Sequence, residues 1–404
     1  MHDFLFKSSF VLNNGHGEKA ELGDLEYFLK KDLEFAVVDK DVFEKFKLSD
    51  FGTKDEPLNI NGSKELIEHY KSIDATKIDF VEKINNIEYM GFSDKGEIIL
   101  HFKDEGEGEG KGITATGVYD FTKEFLDKLF NIHKYAKFCI EKKYVDLIRE
   151  NLEELFEKLK ETERQYRLIK KDESLFLRAI TSTRYKNYDN HIAIYLVLLM
   201  FNKYTKDSGK VFNIVKADLS DSEILVNFEY ENPIVLEDFG KVYLGAVLSN
   251  SEIREKKFTL ELRYRIESSK NEVSFGAIPP LKDSLFSIQH SASTGILEER
   301  LGNIRDFDKK YNDMIEGILS VGKVKKFNDD NLFKLFKKIT SSNLSAGAKN
   351  KFQDIYDKNV VNNTLTIIEV FNKTSEITSD LEERMYLERI YHQMIMELTK
   401  EKEE

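Results

Sequence analysis

The sequence predicts an α+β protein: a central, mostly antiparallel sheet with a long helix or helical hairpin and a helical C-terminal region. Three observations carry this. Thr259 to Ile266 alternates strictly, with Leu260, Leu262, Tyr264 and Ile266 on one face and Thr259, Glu261, Arg263 and Arg265 on the other, the period of a strand. Between Asp120 and Lys171 the residues Phe121, Phe125, Leu129, Ile132, Tyr135 and Phe138, then Leu147, Leu152, Leu155 and Leu159, recur at helical spacing. Beyond Glu298 the apolar residues keep a helical period to the end of the chain.

Four segments follow: an N-terminal α+β region (1–120), the long helix or hairpin (121–173), a central α+β domain (174–300) and a helical C-terminal region (301–404). In the first, Phe35 to Asp39 reads as a strand and Ser63 to Tyr70 as a helix with Ser63 at its N-cap. Asp79 to Glu82, Ile87 to Phe92 and Glu97 to Phe102 read as strands, the last two joined by a Ser93-Asp-Lys-Gly96 turn. Asp104 to Gly112 interleaves Gly with Glu; it reads as an exposed loop tip, since the carboxylates repel the phosphate that a Gly-rich loop would cradle. The hairpin is expected to break near Glu141, with solvated Lys and Glu faces and structural roles for His133 and Cys139. In the central segment Leu175–Ile180, Val211–Val215, Glu223–Tyr230, Val242–Leu248 and Lys257–Ile266 are strands, and His191 to Tyr204 is a buried helix following Asp189-Asn190. Five helices close the chain: Leu301–Leu319, Asp329–Ile339, Ala346–Asp357, Asn363–Phe371 and one from Leu381 through Leu398, after which the charged terminus frays.

Composition narrows the function classes. The 404 residues are 41% hydrophobic, enough for real cores. One cysteine excludes an internal disulfide framework and a Cys-based zinc site, and fits a reducing, cytoplasmic setting. The longest apolar stretch, Ile192 to Phe201, is about half of what a bilayer requires, so no membrane insertion is expected. The net charge of −12 opposes a histone-like polyanion binder but allows a local basic groove, and Arg164 to Lys186 and Lys323 to Lys351 are such basic tracts.

Two polar signatures hold the candidate chemistry: Phe176 to Asn190, and Gly240 to Glu252. Each puts charged or amide groups at the end of an apolar strand, where sites are built. Arg178, Ser182, Arg184, Tyr185, Asp189 and Asn190 lie just ahead of the helix at His191. Guanidinium groups near a helix N-terminus suit phosphate, and Tyr185 and Tyr188 offer faces on which bases stack. The same residues fit an internal ion-pair network in which Asp189 and Glu252 neutralise the two arginines. Ser249-Asn-Ser-Glu252 reads as a turn capped by its own side chains. Ser249 and Ser251 lack the surroundings of a nucleophile, and His290 reads as a turn residue rather than a general base. Arg263 and Arg265 are either laced by Glu261 or open to an anion. No residue is assigned a catalytic or metal-binding role, and no cofactor is expected.

The run Arg178-Ala-Ile-x-Ser-x-Arg-Tyr with Asp189-Asn190, then Gly240-x4-Gly245-x3-Ser249-Asn-Ser-Glu, a strand ending in Tyr264-Arg265, and Ile288-Gln-His290 resembles the phage- and plasmid-borne family known as domain of unknown function 932. The resemblance covers about residues 174–295. It maps Arg178, Ser182, Arg184, Tyr185, Asp189, Asn190, Asn250, Ser251, Glu252 and His290 onto motif positions and implies a mobile-element setting without a reaction. After Tyr264-Arg265 the chain has Glu267-Ser-Ser-Lys-Asn271 where the family has a Cys-Thr-Asn-Gly element.

The expected function is non-enzymatic binding of single-stranded DNA or RNA in replication, recombination or counter-defence. Arg178, Arg184, Arg263 and Arg265 would hold phosphates, Tyr185 and Tyr188 would stack bases, and Ser182, Asn190 and Asn250 would hydrogen-bond sugar or base edges, while Asp189, Ser251, Glu252 and His290 form a supporting network. One alternative is a module that inhibits or assembles with a host or phage protein complex, supported by the acidic charge and long helices. Another is a metal-dependent nuclease or nucleotidyltransferase using Asp189, Glu252 and His290. The C-terminal helices are also a route to homo-oligomers.

Overall fold

Two sheets organise the computed structural model, which describes residues 4–13, 16–29, 37–103, 112–237, 240–253, 257–270, 273–320, 329–359 and 367–400. The strands are β1 (Lys7–Val11), β2 (Ile60–Asn61), β3 (Lys77–Lys83), β4 (Ile87–Phe92), β5 (Ile98–Phe102), β6 (Ile113–Gly117), β7 (Glu163–Lys171), β8 (Ser174–Thr181), β9 (Phe212–Ser220), β10 (Glu223–Tyr230), β11 (Ile234–Leu236), β12 (Gly240–Ser251), β13 (Phe258–Ser268), β14 (Ser274–Ala277) and β15 (Phe286–Ile288). The helices are α1 (Glu26–Leu29), α2 (Val37–Lys45), α3 (Ser63–Ile73), α4 (Phe121–Phe130), α5 (His133–Lys142), α6 (Val145–Lys158), α7 (Asn190–Ser208), α8 (Thr294–Leu301), α9 (Phe307–Ser320), α10 (Asp329–Thr340), α11 (Ala346–Asn359), α12 (Ile367–Ser375) and α13 (Leu381–Lys400).

The large sheet runs β1-β9-β10-β12-β13-β14, with β2 beside β9, β11 beside β12 and β15 beside β13; only the β2–β9 pair is parallel. The smaller sheet runs β3-β7-β8-β6-β5-β4 and is parallel only between β6 and β8. The predicted class holds: mixed α+β with a large, mostly antiparallel sheet and a helical C-terminal region. Packing does not follow the expected segments. The described residues between 20 and 73 share one core with α7 and the large sheet, whereas β3 to β6, α4 to α6, β7 and β8 close a core of their own on the small sheet.

In β13 the apolar face is buried as its alternation predicts, with Phe258, Leu260 and Leu262 in the α7 core and Tyr264 and Ile266 in a second core with α10 to α13. The polar face is buried too, because α13 lies against it; Glu261 and Arg263 are only 2% and 7% exposed. Ser63 is the first residue of α3 rather than its cap, a place taken by Gly62 in a left-handed conformation. Val37 to Asp39 are helical, not extended, since Val42 and Phe46, four residues apart, enter the α7 core. A short apolar run alone does not separate the two forms. Phe35, Ala36, the Gly-Glu tract (104–111), the Lys323, Lys325 and Lys326 tract, 363–366 and the last four residues lie outside the described residues.

The expected long helix or helical hairpin is three helices. Asn131 and Lys143 take left-handed conformations (φ 56° and 61°) and end α4 and α5. The second break is the one expected near Glu141. Splitting the stripe changes which residues it buries: Phe121, Phe125 and Leu152 are core, but Tyr135, Phe138 and Leu147 are 37%, 49% and 49% exposed.

Candidate functional site

The two signatures meet where the small sheet abuts the N-terminus of α7 and the end of β12. Arg178 sits at a bulge: Arg167 of β7 opposes Ala179, and Leu168 opposes Leu177, leaving Arg178 as the extra residue. The bulge lets both Leu177 and Ile180 enter the small-sheet core while Arg178 turns toward the large sheet. There it meets Glu252, whose carboxylate is fully buried, at 2.6 Å.

Around this pair a network closes. Lys77 on β3 donates to both oxygens of Glu252 at 2.8 and 2.7 Å, and the backbone N–H of Asn190 donates to Glu252 Oε1 at 2.9 Å. Glu252 thereby caps α7 from another element, in place of Asp189, the formal N-cap residue, whose side chain makes no cap hydrogen bond. Arg167, with no exposed side-chain surface, donates to both oxygens of Asp189 (2.8 and 2.7 Å), to Asp79 Oδ2 (2.9 Å) and to the Glu252 carbonyl (2.7 Å). Asn187 donates to the same Asp79 oxygen, and Arg178 lies 3.7 Å from its other one. Three cations (Lys77, Arg167, Arg178) thus face three carboxylates (Asp79, Asp189, Glu252).

Amides and rings complete the knot. Asn250 Nδ2 donates to the Tyr188 carbonyl and to Asn190 Oδ1, both at 2.9 Å. Tyr185 stacks on His290 with centroids 4.7 Å apart and planes 7° from parallel, and Arg167 lies 5.7 Å from the centre of the Tyr185 ring. Tyr188 is buried and its hydroxyl donates to the Ala292 carbonyl. His290 Nδ1 lies 3.1 Å from the Lys186 carbonyl, to which it donates. Burial pushes the His290 pKa down. Burial would raise Asp189, yet Arg167, Lys77 and Arg178 hold its carboxyl well below the usual range. Glu252 is likewise lowered: burial and Asp189 push upward, and Lys77, Arg178 and Arg167 outweigh them.

The predicted residues therefore divide. Arg178, Tyr188, Asp189, Asn190, Asn250, Glu252 and His290 come together, but inside the protein, with Tyr185 half-buried beside them. The groove expected of them is corrected on physical grounds: Arg178 is spent on Glu252, both neighbours of the Tyr185 ring are protein groups, and Asn190 and Asn250 bond each other. Ser182 and Arg184 are exposed and stand apart from the knot. Ser249 to Ser251 continue β12 instead of turning, and the Ser251 hydroxyl donates to Glu223 at 3.2 Å. Arg263 and Arg265 lie on the polar face of the large sheet, laced by Glu229, Glu388 and Glu267 rather than by Glu261, which pairs with Arg389. Asp189 and Glu252 are both engaged by cations, and among the described residues no three His, Cys, Asp or Glu side chains form a metal-ligand group.

Lys77, Asp79 and Arg167 were not singled out by sequence. Arg167 carried a usable signal, a charge within the apolar run Tyr166-Arg-Leu-Ile169 of a strand, where a charge is retained only if paired.

Outside the knot, α5 and the start of α6 present an unusual surface. Tyr135, Phe138, Tyr144, Val145 and Leu147 are all exposed, and the rings of Phe138 and Tyr144 meet edge to face at 6.1 Å. Lys134, Lys137, Lys142 and Lys143 are exposed among them. Compared with known proteins, the chain matches no family model, no curated protein and no solved structure.

Proposed function

We propose that the protein binds single-stranded nucleic acid, without chemistry of its own, on the outer surface of α5 and the start of α6. One observation carries the reading: four exposed lysines that make no ion pair among the described residues alternate with three exposed aromatic rings, Tyr135, Phe138 and Tyr144. Lys134 and Phe138, and Phe138 and Lys142, are four residues apart and so adjacent on the helix. Lysines hold a phosphate backbone, and each base stacked on an aromatic ring adds roughly 1–3 kcal/mol without sequence preference. The patch is local, so it tolerates a net charge of −12 better than a protein-wide attraction would. The residue types are those expected of the groove at Arg178 and Tyr185; the location is different. The resemblance to domain of unknown function 932 implies a mobile-element setting, in which such binding would serve replication, recombination or counter-defence.

A second reading, a protein-interaction module, draws on Val145 and Leu147, which enlarge the apolar part of the same surface. Fluorescence anisotropy with labelled oligothymidylate at low salt distinguishes them. Lys134→Glu with Lys137→Glu, and separately Phe138→Ala with Tyr144→Ala, should each weaken binding about tenfold or more. Absence of binding by the parent protein, or affinities that ignore both pairs of substitutions, overturns the proposal.

A further inference from the structure

The polar face of the large sheet does not close completely under α13. A cavity of about 410 Å³ remains there, and four cations line it: Lys216, Arg263, Arg265 and Arg384. Two of them are consumed. Arg263 grips Glu388 through two nitrogens at 2.8 Å, and Arg265 grips Glu229 at 2.9 to 3.1 Å and Glu267 at 2.7 Å. The other two share one carboxylate, with Arg384 3.3 Å and Lys216 3.6 Å from the same Asp218 oxygen. Asn227 is directly opposite Lys216 in the β9–β10 ladder, so the two side chains emerge side by side on this face. It is only 6% exposed, it lines the cavity, and among the described residues its Oδ1 accepts no hydrogen bond. Ser375 and Thr378 complete the wall.

We infer that this cavity is a binding site for a phosphate monoester on a hydroxylated carbon skeleton, the phosphate taken by Lys216 and Arg384 and a hydroxyl donated to Asn227 Oδ1. A phosphate oxyanion gives Lys216 and Arg384, which share the single Asp218 carboxylate, a second anionic partner, and the hydroxyl satisfies the buried acceptor beside it. The Lys216 ammonium also has reason to gain a counter-charge: burial and the nearby Arg384 and Arg263 lower its pKa, and Asp218 only partly restores it. The site is independent of the α5–α6 surface and stands whether or not that surface binds nucleic acid. The same group can arrive on a free sugar phosphate or on the 5′ end of a nucleic-acid strand.

Calorimetric titration with ribose 5-phosphate and with inorganic phosphate tests the first source. Anisotropy with 5′-phosphorylated and unphosphorylated oligothymidylate, on protein already carrying Lys134→Glu and Lys137→Glu, tests the second. Lys216 and Arg384 are partly exposed, so Lys216→Ala with Arg384→Ala leaves a folded protein, checked by its circular dichroism. Ribose 5-phosphate binding tighter than inorganic phosphate, or a gain from the 5′-phosphate, is expected; the double substitution should weaken it about tenfold or more, and Asn227→Ala should remove the preference over inorganic phosphate. The inference fails if neither probe binds at low salt, or if the doubly substituted protein binds them as well as the parent.

Discussion

Replacing Glu252 by Gln should loosen the joint between the two sheets and leave ligand binding untouched. The Glu252 side chain has no exposed surface and receives Arg178 at 2.6 Å, Lys77 at 2.7 Å and the Asn190 N–H at 2.9 Å. Gln keeps an acceptor for the N–H, so the substitution isolates the charge. Arg178 is then a fully buried cation whose remaining carboxylate, Asp79, is 3.7 Å away. Removing one partner of a buried pair costs about 3–5 kcal/mol, because the other charge stays desolvated and uncompensated. Arg178→Met should cost a similar amount for the reciprocal reason. The two together should cost less than their sum by about 1–3 kcal/mol, since each removes the charge that the other stranded. Denaturant unfolding followed by circular dichroism measures all three variants. A pH series adds the sign. Glu252 and Asp189 titrate below their unfolded values, so their contribution is complete above the unfolded pKa, roughly 4 to 4.5, and is lost as pH falls below it toward the folded values. Stability should therefore drop on acidification below about pH 5, and less steeply in Glu252→Gln. Single substitutions costing under about 1 kcal/mol, or strictly additive ones, would refute the knot as a joint. So would an Arg178→Met protein of parental stability that has lost oligonucleotide affinity.

Two further outcomes follow from the polar face and the C-terminal core. Gly245 separates Glu229 from Arg263 across the middle strand, and a Cβ there would stand 1.8 Å from the Phe228 carbonyl oxygen; Gly245→Ala should therefore lower stability by at least about 2 kcal/mol, measured as a shift in the denaturation midpoint. His392, beside the Tyr264 hydroxyl, is pushed down to about 4 by burial, so the fold keeps it neutral while the unfolded chain takes up a proton below about pH 6.5. Stability is thus lost as pH falls from about 6.5 toward 4, by up to about 2–3 kcal/mol, and His392→Asn should flatten the melting temperature across that window; an unchanged slope would remove His392 as its source.

Much of the fold was legible because local periodicity and burial agree. The β13 alternation, the apolar run Ile192 to Phe201 of α7 and the C-terminal helices each bury the face that their sequence marks. The misreadings occur where tertiary contacts decide. Tyr135 and Phe138 obey a helical period with Phe125 and Leu129, and nothing local announces that Asn131 turns left-handed and rotates them out of the core. The polar face of β13 carries residues typical of a solvated face, and only the return of α13, more than a hundred residues later, covers it. The signatures were legible as a set, since Arg178, Asp189 and Glu252 do meet. Half of the knot was not, because Lys77, Asp79 and Arg167 enter through a strand pairing that spans 88 positions between Asp79 and Arg167.

A buried network of six charges is a poor source of stability, because the desolvation of each ion offsets most of what its partner returns. Its effect lies in what it forbids. The six residues come from β3, β7, β8, the start of α7 and the end of β12, so their charges balance only when the small sheet is seated on the large one in a single register. A displaced seating strands at least one buried ion at a cost of several kcal/mol, whereas an apolar contact between the same surfaces would tolerate sliding. The α5–α6 surface is carried by the small sheet, and the cation-lined cavity belongs to the large one. The knot therefore sets how those two surfaces are presented together while remaining inaccessible to any ligand of either.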